Sequence, residues 1–220
     1  MRIRLMSLFL LWVIPICHVH GQKVKPFVKG GLTIALFDGP HASHEDVGHF
    51  GPHLGAGIKI PLKKSQKTFL VPAVALVPKG DVYDVSIAGG RVSFNLWYLE
   101  TQLDYCYRWQ IGKNWHLSIG AGLYGAYGIG GKASATNGIT WYRGIPVGDS
   151  PSMFESEVGA NRWDAGGRLW TVGVDYRRFM FRWDYEASFF SQFHNKMPYE
   201  REKNNHGYNW AHSICIGYCF

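Results

Sequence analysis

Beyond residue 17 the chain has no second apolar run of the length a membrane-crossing helix needs, about 20 residues. If the mature chain sits in a membrane, helices do not carry it there. Cysteine is sparse as well: after Cys17 only Cys106, Cys215 and Cys219 remain. Cys215 and Cys219 are four apart in what reads as one strand, roughly 13 Å at strand rise. Cys106 falls on a strand across the fold, and a disulfide needs Cα atoms within about 7 Å. No intramolecular bridge is expected, and the three read as small interior fillers. Compact zinc spacing is also missing, since His41, His44, His49 and His53, with Glu45 and Asp46, are strung along one loop region without such a pattern. They read as a solvated loop, and neither a metal nor a cofactor is expected.

What is present starts at the N-terminus. Arg2 and Arg4 precede an apolar run from Leu5 to Cys17 and then "HVHG", the pattern of a secretory signal peptide cleaved after Gly21. A lipoprotein anchor on Cys17 is disfavoured by bulky Ile16. The expected layout is therefore a signal peptide, 1–21, and one domain, 22–220. Removing the signal leaves 21 basic and 16 acidic residues, a balance of +5.

From there the dominant period is two. In "GYNWAHSICIGYCF" (207–220), Tyr208, Trp210, Ile214, Ile216, Tyr218 and Phe220 share one face, with His212 the exception. The opposite face holds only small or polar residues. The same alternation runs through 25–37, 48–62, 97–107, 114–130 and 179–191, while 68–77 and 163–176 are strand-like but less regular. A soluble sandwich would carry its bulk on the inner face. Bulky residues on one face with glycine, serine and charge on the other suit a barrel with lipid outside and a polar lumen. Eight such segments predict an all-β fold: an eight-stranded antiparallel up-and-down transmembrane β-barrel.

The connections agree with this. They alternate long (38–47), short (63–67), long (78–90), short (108–113), long (131–162), tight (177–178) and long (195–206). Tyr105, Tyr107, Trp115, Tyr176, Phe181, Tyr218 and Phe220 fall near the short-turn end. Trp97, Tyr127, Phe189, Tyr208 and Trp210 fall near the other, as two interfacial girdles would. The sequence pI near 9.2 is no sign of nucleic-acid binding, because the positive charge gathers in the short turns: Lys63, Lys64, Lys67, Arg108, Lys113, Arg177 and Arg178, with no acidic residue among them. Such a ring would face a phospholipid leaflet.

Charged residues on the inward face are Lys29, Lys59, Glu100, Asp104, Asp175, Arg182, Asp184 and Glu186. An eight-stranded interior is about wide enough for side chains to fill, and buried charges must pair. The expectation is an ion-pair network in a plugged lumen. Two motifs compete for a chemical role. "IGAGLYGAYGIGG" (119–131) spells G-x-G-x-x-G at Gly120, Gly122 and Gly125, but it sits inside the alternation instead of opening a helix, so it does not form a dinucleotide loop. His116 and Ser118 form H-x-S and resemble the catalytic pair of outer-membrane lipid A deacylases, yet both point to the lumen, away from lipid.

"NLWYLETQLDY" (95–105), "LSIGAGLYGAYGIGGK" (117–132), "VGVDYRRF" (172–179) and the terminal "IGYCF" resemble the PorT-like outer-membrane β-barrel domain of Gram-negative bacteria. Thr101-Gln102 stands where that family usually has Ile-Pro, and Ala73 where it often has Glu after Pro. The resemblance implies a small barrel without established catalytic residues, linked in some members to protein secretion. It also implies that Tyr218 and Phe220 serve as the terminal signal read by the barrel-assembly machinery. The resulting expectation is a non-enzymatic, monomeric protein of the cell outer membrane, in contact with its lipid, with a structural, adhesion or secretion-accessory role. A lipid-modifying enzyme using His116 and Ser118, or a small pore, is the alternative. Trp141, Tyr142, Met153 and Phe154 in the loop 131–162 are the expected exposed surface for a protein partner.

Overall fold

The computed structural model describes residues 24–38, 48–63, 65–85, 89–142, 145–147, 153–154, 160–191 and 208–220. The expected signal peptide, His41, His44, Glu45, Asp46 and Lys64 lie outside them. Eight long strands close a barrel: β1 (Lys25–Asp38), β2 (His49–Pro61), β3 (Thr68–Val85), β4 (Gly90–Gln110), β5 (Trp115–Ala135), β8 (Trp163–Tyr176), β9 (Phe179–Ser188) and β10 (Tyr208–Cys219). Two short strands, β6 (Trp141–Tyr142) and β7 (Ile145–Pro146), form a separate hairpin within the β5–β8 connection. Every neighbouring barrel pair is antiparallel, and β1 pairs with β10 from Phe27↔Cys219 to Asp38↔Tyr208, so no barrel edge is left open.

The side chains sort by face as the alternation requires. Val28, Leu32, Leu54, Leu103, Ile119, Leu123, Phe181, Ile214 and Ile216 are exposed on the outer wall. On β4 the outward residues change character abruptly. Arg91, Ser93 and Asn95 are polar, and from Trp97 the row reads Leu99, Thr101, Leu103, Tyr105, Tyr107. The ten steps from Trp97 to Tyr107, at strand rise and a tilt near 40°, give an apolar band about 26 Å tall, close to the roughly 25 Å of membrane barrels. Thr101, the one aliphatic hydroxyl in that row, donates to Gly125 O at 3.0 Å and so meets its own need for a partner. Aromatic pairs mark the short-turn end: Tyr107–Trp109 and Trp115–Tyr176, both with ring centroids 4.5 Å apart, and Phe179–Tyr218 at 5.6 Å. Tyr127 against Trp163, at 4.9 Å, lies toward the other end.

Two of the connections differ from expectation. The segment 78–90 is not a long loop, because β3 continues to Val85 and β4 starts at Gly90, which leaves only 86–89 between the strands of a hairpin that projects past the apolar band. "PKGD" reads as a breaker, but Gly80 takes a φ of +146°, where a Cβ would strike Phe94 O, and the strand carries on. β5 likewise extends to Ala135, aided by a bulge opposite Trp97 and Tyr98. A second bulge, at Leu169–Trp170 on β8, explains why 163–176 alternates poorly. Inward positions are Asp164, Gly166 and Arg168 before it, and Thr171, Gly173 and Asp175 after it. Trp170 then stacks on Tyr185 at 4.3 Å, and Tyr185 on His212 at 4.5 Å, which covers this tyrosine on the outer wall.

Candidate functional site

Among the described residues the interior brings charges of both signs together, and β4 displays its organisation. Successive inward residues from the long-loop end are Phe94, Leu96 and Tyr98, then Glu100, Gln102 and Asp104, then Cys106. An apolar layer, a charged layer and a second apolar layer are stacked along the barrel axis.

Lys29, Lys59, Glu100, Asp104, Asp175, Arg182, Asp184 and Glu186 all lie inside and are buried. Four more charged residues join them that alternation alone did not place there: Lys79, Asp81, Asp164 and Arg168. Arg168 is the hub. Its Nε meets Asp104 Oδ1 at 2.7 Å, its Nη2 meets Asp184 Oδ2 at 2.9 Å, and its Nη1 bonds Glu186 and lies 3.8 Å from Glu100 Oε1. Lys79 Nζ sits 2.7 Å from Asp164 Oδ2 and 3.1 Å from Glu100 Oε2, over the Tyr124 ring at 3.9 Å. Asp164 also accepts from Tyr124 (3.1 Å) and Ser188 (2.5 Å). Lys29 donates to Asp184 and Gln102, both at 3.2 Å, and Gln102 donates on to Glu100 at 2.8 Å. Nearer the short-turn end Lys59 grips both oxygens of Asp175, at 3.0 and 2.9 Å. Asp81 accepts from the backbone N–H groups of Phe37 and Val82. His53 is a wall residue, not a loop residue: it is fully buried, with Nδ1 3.2 Å from Thr33 Oγ1.

Above this layer Phe37, Tyr83, Phe94, Leu96 and Tyr98 form an apolar cluster with Val147, Met153, Phe154 and Ala160 from the β5–β8 connection. The expected exposed partner surface is therefore corrected here. Met153 is 1% and Phe154 8% exposed, because both side chains pack into the barrel mouth. Met153 N donates to Gly131 O at 3.1 Å, and the Phe154 ring packs edge-on against Tyr98 at 5.4 Å. The backbones of Trp141 and Tyr142 form β6. Below the charged layer Phe27, Phe69, Val71, Cys106 and Met180 make the second apolar cluster. Between them is a cavity of about 20 Å³ bordered by Lys29, Asp104, Thr171, Arg182 and Asp184. That volume holds about one water and is far too small for a hydrated ion.

Neither competing motif gains support from its surroundings. The three glycines of G-x-G-x-x-G lie inside β5, paired with β4 and β8. Ser118 is 3% exposed and donates to Gly173 O at 3.3 Å, so its hydroxyl is directed into the wall. His116 sits on the same face, in register with Asp175. Cys106, Cys215 and Cys219 are free thiols.

No protein-family model matches the chain, and no curated protein matches it. Among solved structures it is similar to Neisserial surface protein A, with a TM-score of 0.47 at 12% identity over 90% of this chain and 99% of that one. It is also similar to Ail, the attachment invasion locus protein of Yersinia pestis, with a TM-score of 0.44 at 13% identity over 90% and 99% of the two chains. The outer membrane protein OprG from Pseudomonas aeruginosa scores 0.44 at 13% identity over 90% and 97%. At these identities and scores the likenesses decide nothing. The eight-stranded closed barrel rests on its own strand pairing.

Proposed function

We propose that this chain is an integral outer-membrane barrel with a sealed lumen, a non-enzymatic anchor that holds its long-loop end outside the cell. The observation that carries the proposal is the inversion of polarity: among the described residues twelve charged side chains are buried, five cationic and seven anionic, while the outer wall exposes aliphatic and aromatic residues in a continuous band. A water-soluble protein rarely leaves so large an apolar surface open, and lipid is the solvent that makes it favourable. No family model matches the chain, so a secretion-accessory task rests on the sequence resemblance to PorT-like domains alone, and the projecting β3–β4 hairpin offers surface for an adhesive one. The chain acts as a monomer. Its terminal strand, with Tyr218 and Phe220 on the outer wall, is what the assembly machinery would read, and residues 131–162 remain the segment to probe for a protein partner.

Two measurements test this. Leu123 is 59% exposed at the middle of β5, and Leu123→Arg should cost about 2–4 kcal/mol in vesicle refolding, against about 0–1 kcal/mol for an arginine at the rim. On a water-exposed surface the change would stay within about 0.5 kcal/mol, and that outcome, or recovery of the protein without detergent, would remove it from the membrane. In planar bilayers the purified barrel should show no steady single-channel conductance. A stable open level would contradict the sealed lumen.

A further inference from the structure

The cations at the short-turn end are distant in sequence, but backbone hydrogen bonds join them into one rim. Arg108 N donates to Lys67 O at 2.7 Å, which ties the β2–β3 turn to the end of β4. Arg177 N donates to Asn114 O at 3.2 Å, which seats the β8–β9 turn against the β4–β5 turn beside Lys113. Cys219 N donates to Arg178 O at 2.7 Å, and Phe220 N to Pro26 O at 2.9 Å, next to Lys25. Lys63, Lys67, Arg108, Lys113, Arg177 and Arg178 thus follow one another around the barrel mouth, with Lys25 closing the circle. Lys63, Lys67, Lys113, Arg177 and Arg178 are exposed. Asp175, an acidic residue toward this end, is buried and held by Lys59.

Three of these cations are fixed on aromatic rings or hydroxyls. Arg178 Nη1 donates to Tyr218 Oη at 3.0 Å, the Arg177 guanidinium lies 5.5 Å from the Tyr176 ring centre, and that of Arg108 lies 4.7 Å from Phe69. Each turn also carries its charge within two residues of an outward apolar side chain: Leu62, Trp109, Ile111, Trp115 and Phe179 are all exposed. Charge is therefore held just below the apolar band, at headgroup depth. The opposite end differs, since there Arg91 is paired with Asp84 at 2.8 Å.

We infer that this rim is a collar for anionic phospholipid, binding the phosphodiester of phosphatidylglycerol-type headgroups in the leaflet at the short-turn end. A free anion would need no apolar shelf beside the charge of each turn, whereas a lipid uses both. The inference rests on the membrane reading above, so its test separates the two. The full chain is refolded into vesicles of phosphatidylcholine alone and of an equimolar mixture with phosphatidylglycerol, extracted, and its retained lipids counted by native mass spectrometry. Wild-type barrel should retain phosphatidylglycerol at least about tenfold over phosphatidylcholine, given the attraction of each cation near an anionic surface. The preference should vanish in K63Q/K67Q/K113Q/R177Q/R178Q, and fall in 1 M salt, where screening acts within about 3 Å. Equal retention by a folded wild type, an unchanged preference in the variant, or displacement by inorganic phosphate overturns the collar and leaves the barrel standing. Failure to insert into either vesicle overturns the membrane reading itself.

Discussion

Arg168→Met is expected to destabilise the barrel by about 3–5 kcal/mol, the range for removing one partner of a buried ion pair. The side chain is 1% exposed and reaches Asp104, Asp184 and Glu186 from the centre of the charged layer. Methionine fills much of the same space, so the loss is electrostatic: three carboxylates keep their burial and lose their common partner. Arg168→Lys should recover only part of it, because an ammonium cannot present the planar fork that serves several acceptors at once. The measurement is the urea midpoint of the folded form in micelles, expected to drop by about 1–3 M for a typical slope. The deficit should be smaller at acid pH than at alkaline pH, because a carboxylate that takes up a proton no longer buries a charge. Asp84→Asn is the contrast: it breaks the ion pair with Arg91, whose side chains are 38% and 56% exposed, and should change stability by no more than about 1 kcal/mol. A small effect at Arg168 would mean that the network only fills space.

That hub was hidden in the sequence for a definable reason. Alternation assigns Asp175 to the lumen, and Arg168, seven residues earlier, then falls on the opposite parity. The bulge at Leu169–Trp170 resets the phase and turns both inward. Lys79 and Asp81 were hidden by "PKGD", where proline, glycine and aspartate together imitate a turn. Met153 and Phe154 were hidden differently: apolar residues in a long connection read as exposed, and nothing local shows that they fold back. The regular strands needed no such information. On β4 and β9 an unbroken period of two placed Glu100, Asp104, Arg182, Asp184 and Glu186, because the register of a barrel strand leaves each residue only two faces to occupy. What alternation reads well is the wall. What it misses is wherever the wall changes phase or something is inserted through its mouth.

The insertion itself can be tested at one glycine. A Cβ at Gly128 would collide with the Phe154 ring, so Gly128→Val should expel Phe154 from the mouth. The barrel wall does not depend on that ring, and the folded band on a heat-modifiability gel should persist. The β5–β8 connection should become cleavable by added protease, and Phe154→Ala should reproduce the effect, with a loss of burial of about 3–5 kcal/mol at most. Gly130→Val is the control, since a Cβ at Gly130 meets nothing within 4 Å and the connection should stay protected. Gly128→Val should nevertheless remain silent in planar bilayers. Arg168, Lys79 and their carboxylates still cross the lumen below the displaced plug, and the lower apolar cluster of Phe27, Phe69 and Met180 lies beneath them. If Gly128→Val alone conducts, the plug is a gate and the charged layer is permeable. If it is cleaved but closed, the charged layer is the seal and the plug serves to hold the long connection in place.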